Sequence, residues 1–230
     1  MKHYESIPRI QDDETLRGET VWGFNKLDGQ NFCATFRPKS NGFVSFGSRT
    51  VQVDENSESE LANAVTWFKA HKLDEILIKI IKENCKKGDV FQGIEEITFF
   101  FEWYGLNSFA GRHDSRDYAN DDMRLALIDV FLKKKGYMEP KEYYNLFKDS
   151  GIEIPELIYT GPLDSKIVEK IQNNDWTRPD AVFPNVKEGV VFKRSTLMKG
   201  QRRPSVKVKT RWWIGKLHSM YSEEECKKLE

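Results

Sequence analysis

Residues 26–31 of the chain read Lys26-Leu27-Asp28-Gly29-Gln30-Asn31, and this stretch is the most informative in the sequence. Gly29 permits a tight turn in which the backbone approaches a ligand closely, so the pattern predicts a lysine at the end of a strand. A lysine amine becomes a nucleophile only after it has lost its proton, which burial or neighbouring positive charges favour. An ordinary exposed turn is the alternative interpretation of the same residues.

Two later segments combine charged residues with the alternation of a strand. Residues 188–193 (EGVVFK) place the carboxylate of Glu188 at one end of an apolar strand and Lys193 at the other. In residues 206–209 (VKVK), Lys207 and Lys209 share one face about 7 Å apart, a spacing that suits a single phosphate. Like charges side by side are unfavourable unless an anion offsets them. Exposed edge strands are the alternative for both segments.

The remaining pattern predicts an α+β fold of antiparallel strands with helices packed outside. In residues 101–105 (FEWYG), Glu102 interrupts a strand of large aromatic residues and needs a hydrogen-bond partner, either a ribose hydroxyl or an arginine. No linker rich in Pro, Gly or Ser divides the chain, so residues 1–230 are predicted to form one domain. The predicted strands are 32–36, 43–53, 97–104, 125–132, 189–193 and 206–210, with a hairpin turn over residues 37–42. Residues 58–84 are predicted to form two helices or one bent helix, and shorter helices are predicted within 139–147 and 164–173. Residues 105–122 are predicted to form a surface loop.

Composition excludes several classes of protein. The chain has 230 residues, with 36 basic and 36 acidic side chains, and 39% of its residues are hydrophobic, which is typical of a globular protein. No run approaches the roughly 18–20 apolar residues of a membrane span. Three cysteines and four histidines are scattered, which argues against structural zinc, and the odd number of widely spaced cysteines suits a reducing compartment.

The zero net charge conceals an uneven distribution of charge. Between residues 187 and 211 there are nine basic residues and a single acid, Glu188. This imbalance favours a site for a polyanion over a solvated basic loop. Trp212 and Trp213 follow directly, and such a pair either stacks on bases or, more commonly, packs in the core.

Taken in chain order, these segments resemble the motifs of the covalent nucleotidyltransferase superfamily, which includes polynucleotide ligases and mRNA capping enzymes. Residues 26–29 are similar to its Lys-x-Asp-Gly motif, 101–105 to its aromatic–Glu–aromatic–Gly strand, 188–193 to its Glu-Gly strand and 207–209 to its Lys-x-Lys pair. Residues 127–131 resemble its Phe-Asp-Val-type strand. The resemblance covers about residues 20–215. Asn31 and the stretch 101–112 look most like the phage RNA ligase 2 and RNA-editing ligase group.

The resemblance implies an adenylyltransferase (ATP-grasp-like nucleotidyltransferase) domain of two antiparallel β-sheets flanked by helices, with ATP bound between the sheets. It implies an ATP-dependent RNA ligase that joins 3′-hydroxyl and 5′-phosphate ends through a lysyl–AMP intermediate and an adenylylated 5′ end. Lys26 would be the nucleophile, Lys207 and Lys209 would offset charge at the α-phosphate, and Glu188 would lie near Mg²⁺ or Mn²⁺. The cofactor-binding residues implied are Asn25, Asp28, Gly29, Asn31, Arg49, Glu102, Ile128 and Lys193.

Two departures from the family pattern affect these expectations. Ile128 stands where the family often has an aromatic residue that stacks on adenine, so the residue that stacks on the base is left open. Only about 20 residues follow Lys209, too few for an oligonucleotide-binding fold or an appended C-terminal domain. We therefore expect a bare catalytic domain of the phage type, in the host cytoplasm, with an accessory protein as one source of strand binding.

The expected partners are RNA ends, nicked or single-stranded, and no membrane. Three alternatives stay open at this point. One is a minimal ATP-dependent DNA ligase acting on DNA or hybrid nicks, and another is a guanylyltransferase. The third is an inactive module that binds nucleotides or RNA ends.

Overall fold

A computed structural model describes residues 2–40, 42–48, 50–105, 123–195 and 204–229. Within these ranges the chain forms ten strands and six α-helices. The strands are β1 (Thr20–Lys26), β2 (Gly29–Arg37), β3 (Gly42–Gly47), β4 (Gln52–Val53), β5 (Ile97–Tyr104), β6 (Arg124–Leu132), β7 (Gly136–Tyr137), β8 (Leu157–Pro162), β9 (Gly189–Arg194) and β10 (Ser205–Lys209). The helices are α1 (Leu61–Ala70), α2 (Leu73–Glu83), α3 (Pro140–Phe147), α4 (Ser165–Gln172), α5 (Arg211–Met220) and α6 (Glu223–Leu229).

One compact unit, built mainly from residues 28–154, contains a six-stranded antiparallel sheet in the order β4-β3-β2-β5-β6-β7. Its central strand β5 is buried at every position except Glu102, which explains the run of large aromatic residues there. Phe32 and Phe101 lie opposite each other on β2 and β5 and both contact Phe68 of α1. These rings form the aromatic core of this unit.

The second compact unit is built mainly from residues 6–27, 155–196 and 203–230, and its sheet has four antiparallel strands in the order β10-β9-β1-β8. One face of this sheet is apolar and packs against α4. The buried residues of this face include Val21, Val190, Phe192, Val206 and Val208. Because side chains alternate along a strand, the residues between them point to the opposite face, and these include several lysines.

Most of the predicted elements are confirmed. The hairpin between β2 and β3, the two helices within 58–84, β5, β6, α3 and α4 lie where the pattern predicts them. The predicted return strand 43–53 is interrupted, because the hydroxyl of Ser48 accepts hydrogen bonds from the backbone N–H groups of Thr50 and Val51 and so turns the chain. For β1, the sequence predicted only that a strand ends at Lys26, and this end is confirmed. Strands β7 and β8 and helices α5 and α6 were not among the predicted elements.

Two of the predictions concern features that the described residues do not test. The loop predicted for residues 105–122 lies almost wholly outside the described residues, and the prediction of one domain over residues 1–230 stays a prediction. In the part of the chain that the structure describes, no helix combines the length and apolar character needed to cross a bilayer.

The apolar face of the four-stranded sheet depends on Phe192, which is fully buried and packs over Gly23. We expect Phe192→Ala to lower the free energy of unfolding by about 3–5 kcal/mol, because the substitution removes buried apolar area and leaves a cavity. Urea denaturation monitored by circular dichroism measures this change. Val182→Ala is the control: Val182 is 64% exposed, and its truncation should change stability by less than about 0.5 kcal/mol. Equal effects of the two substitutions would contradict this packing.

Candidate functional site

The charged residues predicted from three separate segments meet at one end of the four-stranded sheet. Lys26 is the last residue of β1, Glu188 directly precedes β9 and Lys209 is the last residue of β10. In the register of the sheet, Lys26 lies opposite Gly189, and Gly189 lies opposite Lys209. Lys26 Nζ donates to Glu188 Oε2 at 2.8 Å and Lys209 Nζ lies 3.1 Å from Oε1, so one carboxylate binds both lysines.

Gly189 is required at the centre of this row by the close approach of β10. A Cβ atom at position 189 would lie 2.0 Å from the carbonyl oxygen of Val208 and 2.9 Å from the Cα atom of Lys209. The N–H group of Thr210 also donates to the carbonyl oxygen of Glu188 at 2.9 Å. The glycine after Glu188 therefore lets the two strands pair tightly enough to bring Lys209 to the carboxylate.

The electrostatics of the cluster follow from burial and charge. Burial opposes ionisation of Glu188, but the positive charges of Lys26 and Lys209 together outweigh it and hold the pKa of this carboxyl below its usual range. Lys207 lies on the same sheet face as Lys209. Its own burial, followed by the charges of Lys209 and Lys26, lowers the pKa of Lys207 to about 8. Two lysines thus bind one carboxylate and a third lies on the same sheet face, and this concentration of positive charge favours an anionic ligand.

Arg9 joins this basic face, and the sequence analysis missed it. Pro8 accepts a hydrogen bond from the N–H of Lys207 at 2.9 Å, and the N–H of Ile10 donates to the carbonyl of Lys207 at 3.1 Å. Arg9 is therefore the bridge partner of Lys207 and shares its face, and its charge adds to the lowering of the Lys207 pKa. Residues 8–10 alternate between apolar and basic residues in the same way as residues 206–208. This alternation is the sequence signal from which Arg9 could have been predicted.

Two further predicted residues of this unit lie apart from the carboxylate. Lys193 is on the same face as Lys26, since it lies four residues after Gly189, roughly 13 Å along the strand. It is almost fully buried, and its Nζ lies 5.3 Å from the centre of the Phe24 ring. Asn25 points to the opposite face from Lys26, and its Nδ2 donates to the carbonyl of Asn185 at 2.9 Å.

The other predicted residues belong to the six-stranded sheet. Gly29 lies opposite Tyr104, and a Cβ atom there would lie 2.3 Å from the carbonyl oxygen of Trp103, so the glycine after Asp28 permits β2 to pair with β5. Asn31 lies directly opposite Glu102, and its buried Oδ1 has no hydrogen-bond partner among the described residues. Ile128 is the extra residue of a bulge in β6, which re-aims its side chain. Arg49 lies outside the described residues.

The donor set around Glu188 limits how a metal ion could bind. Among the described residues, no three His, Cys, Asp or Glu side chains come together as a metal site. Mg²⁺ and similar ions often bind through one or two carboxylates and complete their coordination with substrate phosphates and water. Glu188 is therefore better suited to bind a divalent ion that enters together with a nucleotide than to hold a permanently bound metal ion.

Comparison with known proteins identifies the family. The sequence model described as RNA ligase matches residues 19–209, which contain every segment that carries the charged cluster. The chain belongs to the RNA ligase family. No curated protein sequence matches it significantly.

Solved structures of the RNA ligase of Naegleria gruberi show the same fold. An apo variant has a TM-score of 0.64 at 17% identity and covers 94% of this chain and 58% of its own. A variant with ATP and Mn has a TM-score of 0.63 at 17% identity, covering 94% and 57%. A variant with AMP and Mn has a TM-score of 0.62 at 18% identity, covering 94% and 58%.

This chain therefore spans less than three fifths of the length of those ligases. The predicted fold of two antiparallel sheets flanked by helices is confirmed. Membership of the phage RNA ligase 2 group within the RNA ligase family stays a prediction.

Lys207 offers a direct test of the electrostatics. We expect its ammonium to titrate at about pH 8, well below the ordinary value of 10.5, in a lysine ¹³Cε NMR titration assigned with Lys207→Arg. Because the folded state holds its proton less tightly than the unfolded state, the contribution of Lys207 to the free energy of unfolding should rise between these two pH values. In Lys209→Met, which removes one neighbouring charge, the midpoint should move upward. A midpoint at the ordinary value in the folded wild type would refute the arrangement.

Proposed function

We propose that the chain carries the adenylation chemistry of an ATP-dependent RNA ligase. One observation supports this above the others: in a member of the RNA ligase family, Lys26, Glu188 and Lys209 from three segments far apart in sequence form one contiguous cluster. In this proposal the amine of Lys26 attacks the α-phosphorus of ATP. The new N–P bond replaces the bond to the β-phosphate oxygen, and pyrophosphate leaves.

The ion pair of Lys26 with Glu188 sets the first requirement of this step. A hydrogen bond to a carboxylate favours the charged ammonium, whereas attack on phosphorus needs the neutral amine. The pair must therefore open and Lys26 must give its proton to solvent before the N–P bond forms. Lys209 remains beside Glu188 and keeps the buried carboxylate paired, so the opening does not leave an isolated buried charge.

The basic face supplies the electrostatic stabilisation. Lys207 and Lys209 lie on the same face as Lys26 and would offset the negative charge that develops on the phosphate oxygens. Arg9, which also pairs with Asp12, lies beside Lys207 in an isolated bridge and adds positive charge at the edge of β10. A divalent ion such as Mg²⁺ or Mn²⁺, held by Glu188 and phosphate oxygens, would add positive charge at the α-phosphate.

The nucleoside contacts implied by the resemblance are proposals as well. Asn31 and Glu102 lie side by side on the six-stranded sheet, and both present oxygen atoms that ribose hydroxyls can donate to. The buried Oδ1 of Asn31, which has no partner among the described residues, supports a polar ligand at this position. Asn25, Asp28, Gly29, Arg49, Ile128 and Lys193 are kept as proposed cofactor-binding residues on the resemblance alone.

The substrate and setting complete the proposal. AMP would pass from Lys26 to a 5′-phosphate of RNA, and a 3′-hydroxyl would then displace it, so that one condensation becomes a series of phosphoryl displacements. RNA ends are the proposed partner, with an accessory protein as a further source of strand binding. All three cysteines are thiols and none forms a disulfide among the described residues, which supports the proposal of a cytoplasmic location.

The decisive experiment is covalent labelling by ATP that carries radiolabel in its α-phosphate, with Mn²⁺ or Mg²⁺ present. We expect the wild type to form a labelled band that is lost in acid and retained in alkali, as a phosphoramidate requires. Lys26→Ala and Lys26→Arg should both abolish the label; arginine keeps the positive charge beside Glu188 but is not a nucleophile at working pH.

Lys141→Ala, which removes an exposed lysine, is the matched control and should label like the wild type. A labelled Lys26→Arg protein would exclude Lys26 as the nucleophile. A wild type that binds ATP but never becomes labelled would support an inactive binding module in place of the enzyme.

Substrate choice needs a separate comparison. With the labelled enzyme, we expect transfer of AMP to 5′-phosphorylated RNA, followed by sealing of RNA ends at least about tenfold faster than sealing of an all-DNA nick, which corresponds to about 1.4 kcal/mol in the barrier. Gel electrophoresis of end-labelled strands measures both steps. Faster sealing of all-DNA nicks, or labelling by GTP in preference to ATP, would overturn the substrate assignment.

A further inference from the structure

Two tryptophans and two lysines form a surface patch in the unit that carries the charged cluster. The rings of Trp176 and Trp212 meet edge to face with their centres 5.4 Å apart. Lys187 Nζ lies 4.5 Å from the centre of the Trp176 ring, and Lys216 Nζ lies 5.0 Å from that of Trp212. All four side chains are half-buried. We refer to these residues as the Trp–Lys patch.

The Trp–Lys patch is connected through short stretches of chain to the cluster of Lys26, Glu188 and Lys209. Lys187 immediately precedes Glu188, and Trp212 follows Lys209 by three residues. The hydroxyl of Thr210 joins the two segments: it donates to the carbonyl of Lys187 at 2.7 Å and accepts from the N–H of Trp213 at 3.1 Å. The patch therefore lies on the same short stretches of chain that hold the ends of β9 and β10.

The segment that carries Trp176 is also held firmly. Asn174 is buried, and its Nδ2 donates to the carbonyl oxygens of Phe183 at 3.0 Å and Val186 at 2.9 Å, while its Oδ1 accepts from the N–H of Phe183. These bonds fix the chain between α4 and β9. The backbone that carries Trp176 is therefore held in place, so less conformational entropy is lost when a ligand binds against the ring.

The structure separates the roles of the two adjacent tryptophans. Trp213 is buried at 3% exposure and packs beneath Lys209, whose Nζ lies 5.9 Å from its ring centre, so it is a core residue. Trp212, the preceding residue of α5, is half-buried, and its ring contacts that of Trp176. Half-exposed indoles with ammonium groups over their faces match the chemistry of single-stranded nucleic acids, whose bases stack on aromatic rings and whose phosphates bind cations.

We propose that the Trp–Lys patch binds a single-stranded stretch of RNA next to the reactive end. A base stacks on the exposed part of Trp212 or Trp176, and Lys187 and Lys216 contact the neighbouring phosphates. Exposed Arg211, at the first turn of α5, adds to the positive charge of this surface. The inference rests on the proposed function, because it assigns the strand-binding surface of the same enzyme.

The test is the binding of a fluorescein-labelled single-stranded RNA of about 12 nucleotides to the full chain without ATP, measured by fluorescence anisotropy at several salt concentrations. Trp176→Ala and Trp212→Ala should each raise Kd about tenfold, with the salt dependence unchanged, because stacking contributes about 1–3 kcal/mol per base. Lys187→Ala and Lys216→Ala should each reduce the slope of log K against log salt by about 0.7.

Controls separate the patch from general effects on folding. Trp67→Ala removes a half-buried tryptophan that stacks on His71 in the other unit, and Lys141→Ala removes an exposed lysine; both should leave Kd and the salt slope unchanged. Trp176→Phe and Trp212→Phe keep an aromatic ring and should recover most of the affinity. Self-labelling by ATP in every variant reports an intact catalytic cluster.

The outcomes distinguish this inference from the proposed function. RNA affinity that is equal in Trp176→Ala, Trp212→Ala and Trp67→Ala would overturn the patch as an RNA site, as would a wild type that becomes labelled by ATP but does not bind the RNA. A patch that serves a protein partner would also leave the RNA affinity unchanged. Failure of the wild type to become labelled, with RNA binding that still depends on both tryptophans, would count against the proposed function and support the patch.

Discussion

The buried carboxylate of Glu188 is the constraint on which the candidate site depends. An ionised group with 5% of its side chain exposed is stable only when it is paired, and it is paired twice, with Lys26 and with Lys209. Breaking such a pair by removing one partner typically costs about 3–5 kcal/mol, since the remaining charge stays buried. The arrangement therefore links the ends of β1, β9 and β10 to one another. The same arrangement concentrates positive charge, because Lys207 lies on the same sheet face as the two lysines that bind Glu188.

Glycine is the second requirement, and it acts through close contact between strands. At Gly189 the carbonyl of Val208 occupies the position where a side chain would begin, and at Gly29 the carbonyl of Trp103 does the same. Each glycine is the first residue of a strand and follows an acidic residue, Glu188 or Asp28. In the Asp-Gly and Glu-Gly pairs, the glycine therefore lets two strands approach closely, and this close pairing determines where the neighbouring charged residues lie.

How far the sequence predicts the structure varies from element to element. β5 and β6 were predicted closely because both are long and mostly buried, so apolar and aromatic residues dominate each strand even though Glu102 and Asp129 interrupt them. The extent of β1 and the whole of β8 were missed because their exposure is irregular: β1, of which only the end at Lys26 was predicted, mixes Gly23 and Asn25 with apolar residues, and β8 is nowhere fully buried. α5 was missed because its two adjacent tryptophans do not fit a clear helical period. The hydrogen bond by which the Thr210 side chain caps the start of α5 is seen only in the tertiary structure.

The sequence by itself determined which residues carry charge chemistry, which face of each strand they occupy and, through the order of the motifs, the family. Alternation of side chains along a strand is local, so Lys207 and Lys209 fall on one face whatever the rest of the chain does. Only the tertiary structure decided that Glu188 binds Lys26 and Lys209, that Arg9 lies beside Lys207 and that Trp212 faces Trp176 while Trp213 is buried. These contacts join residues far apart in the chain, and their geometry follows from strand register and packing, which no local pattern specifies.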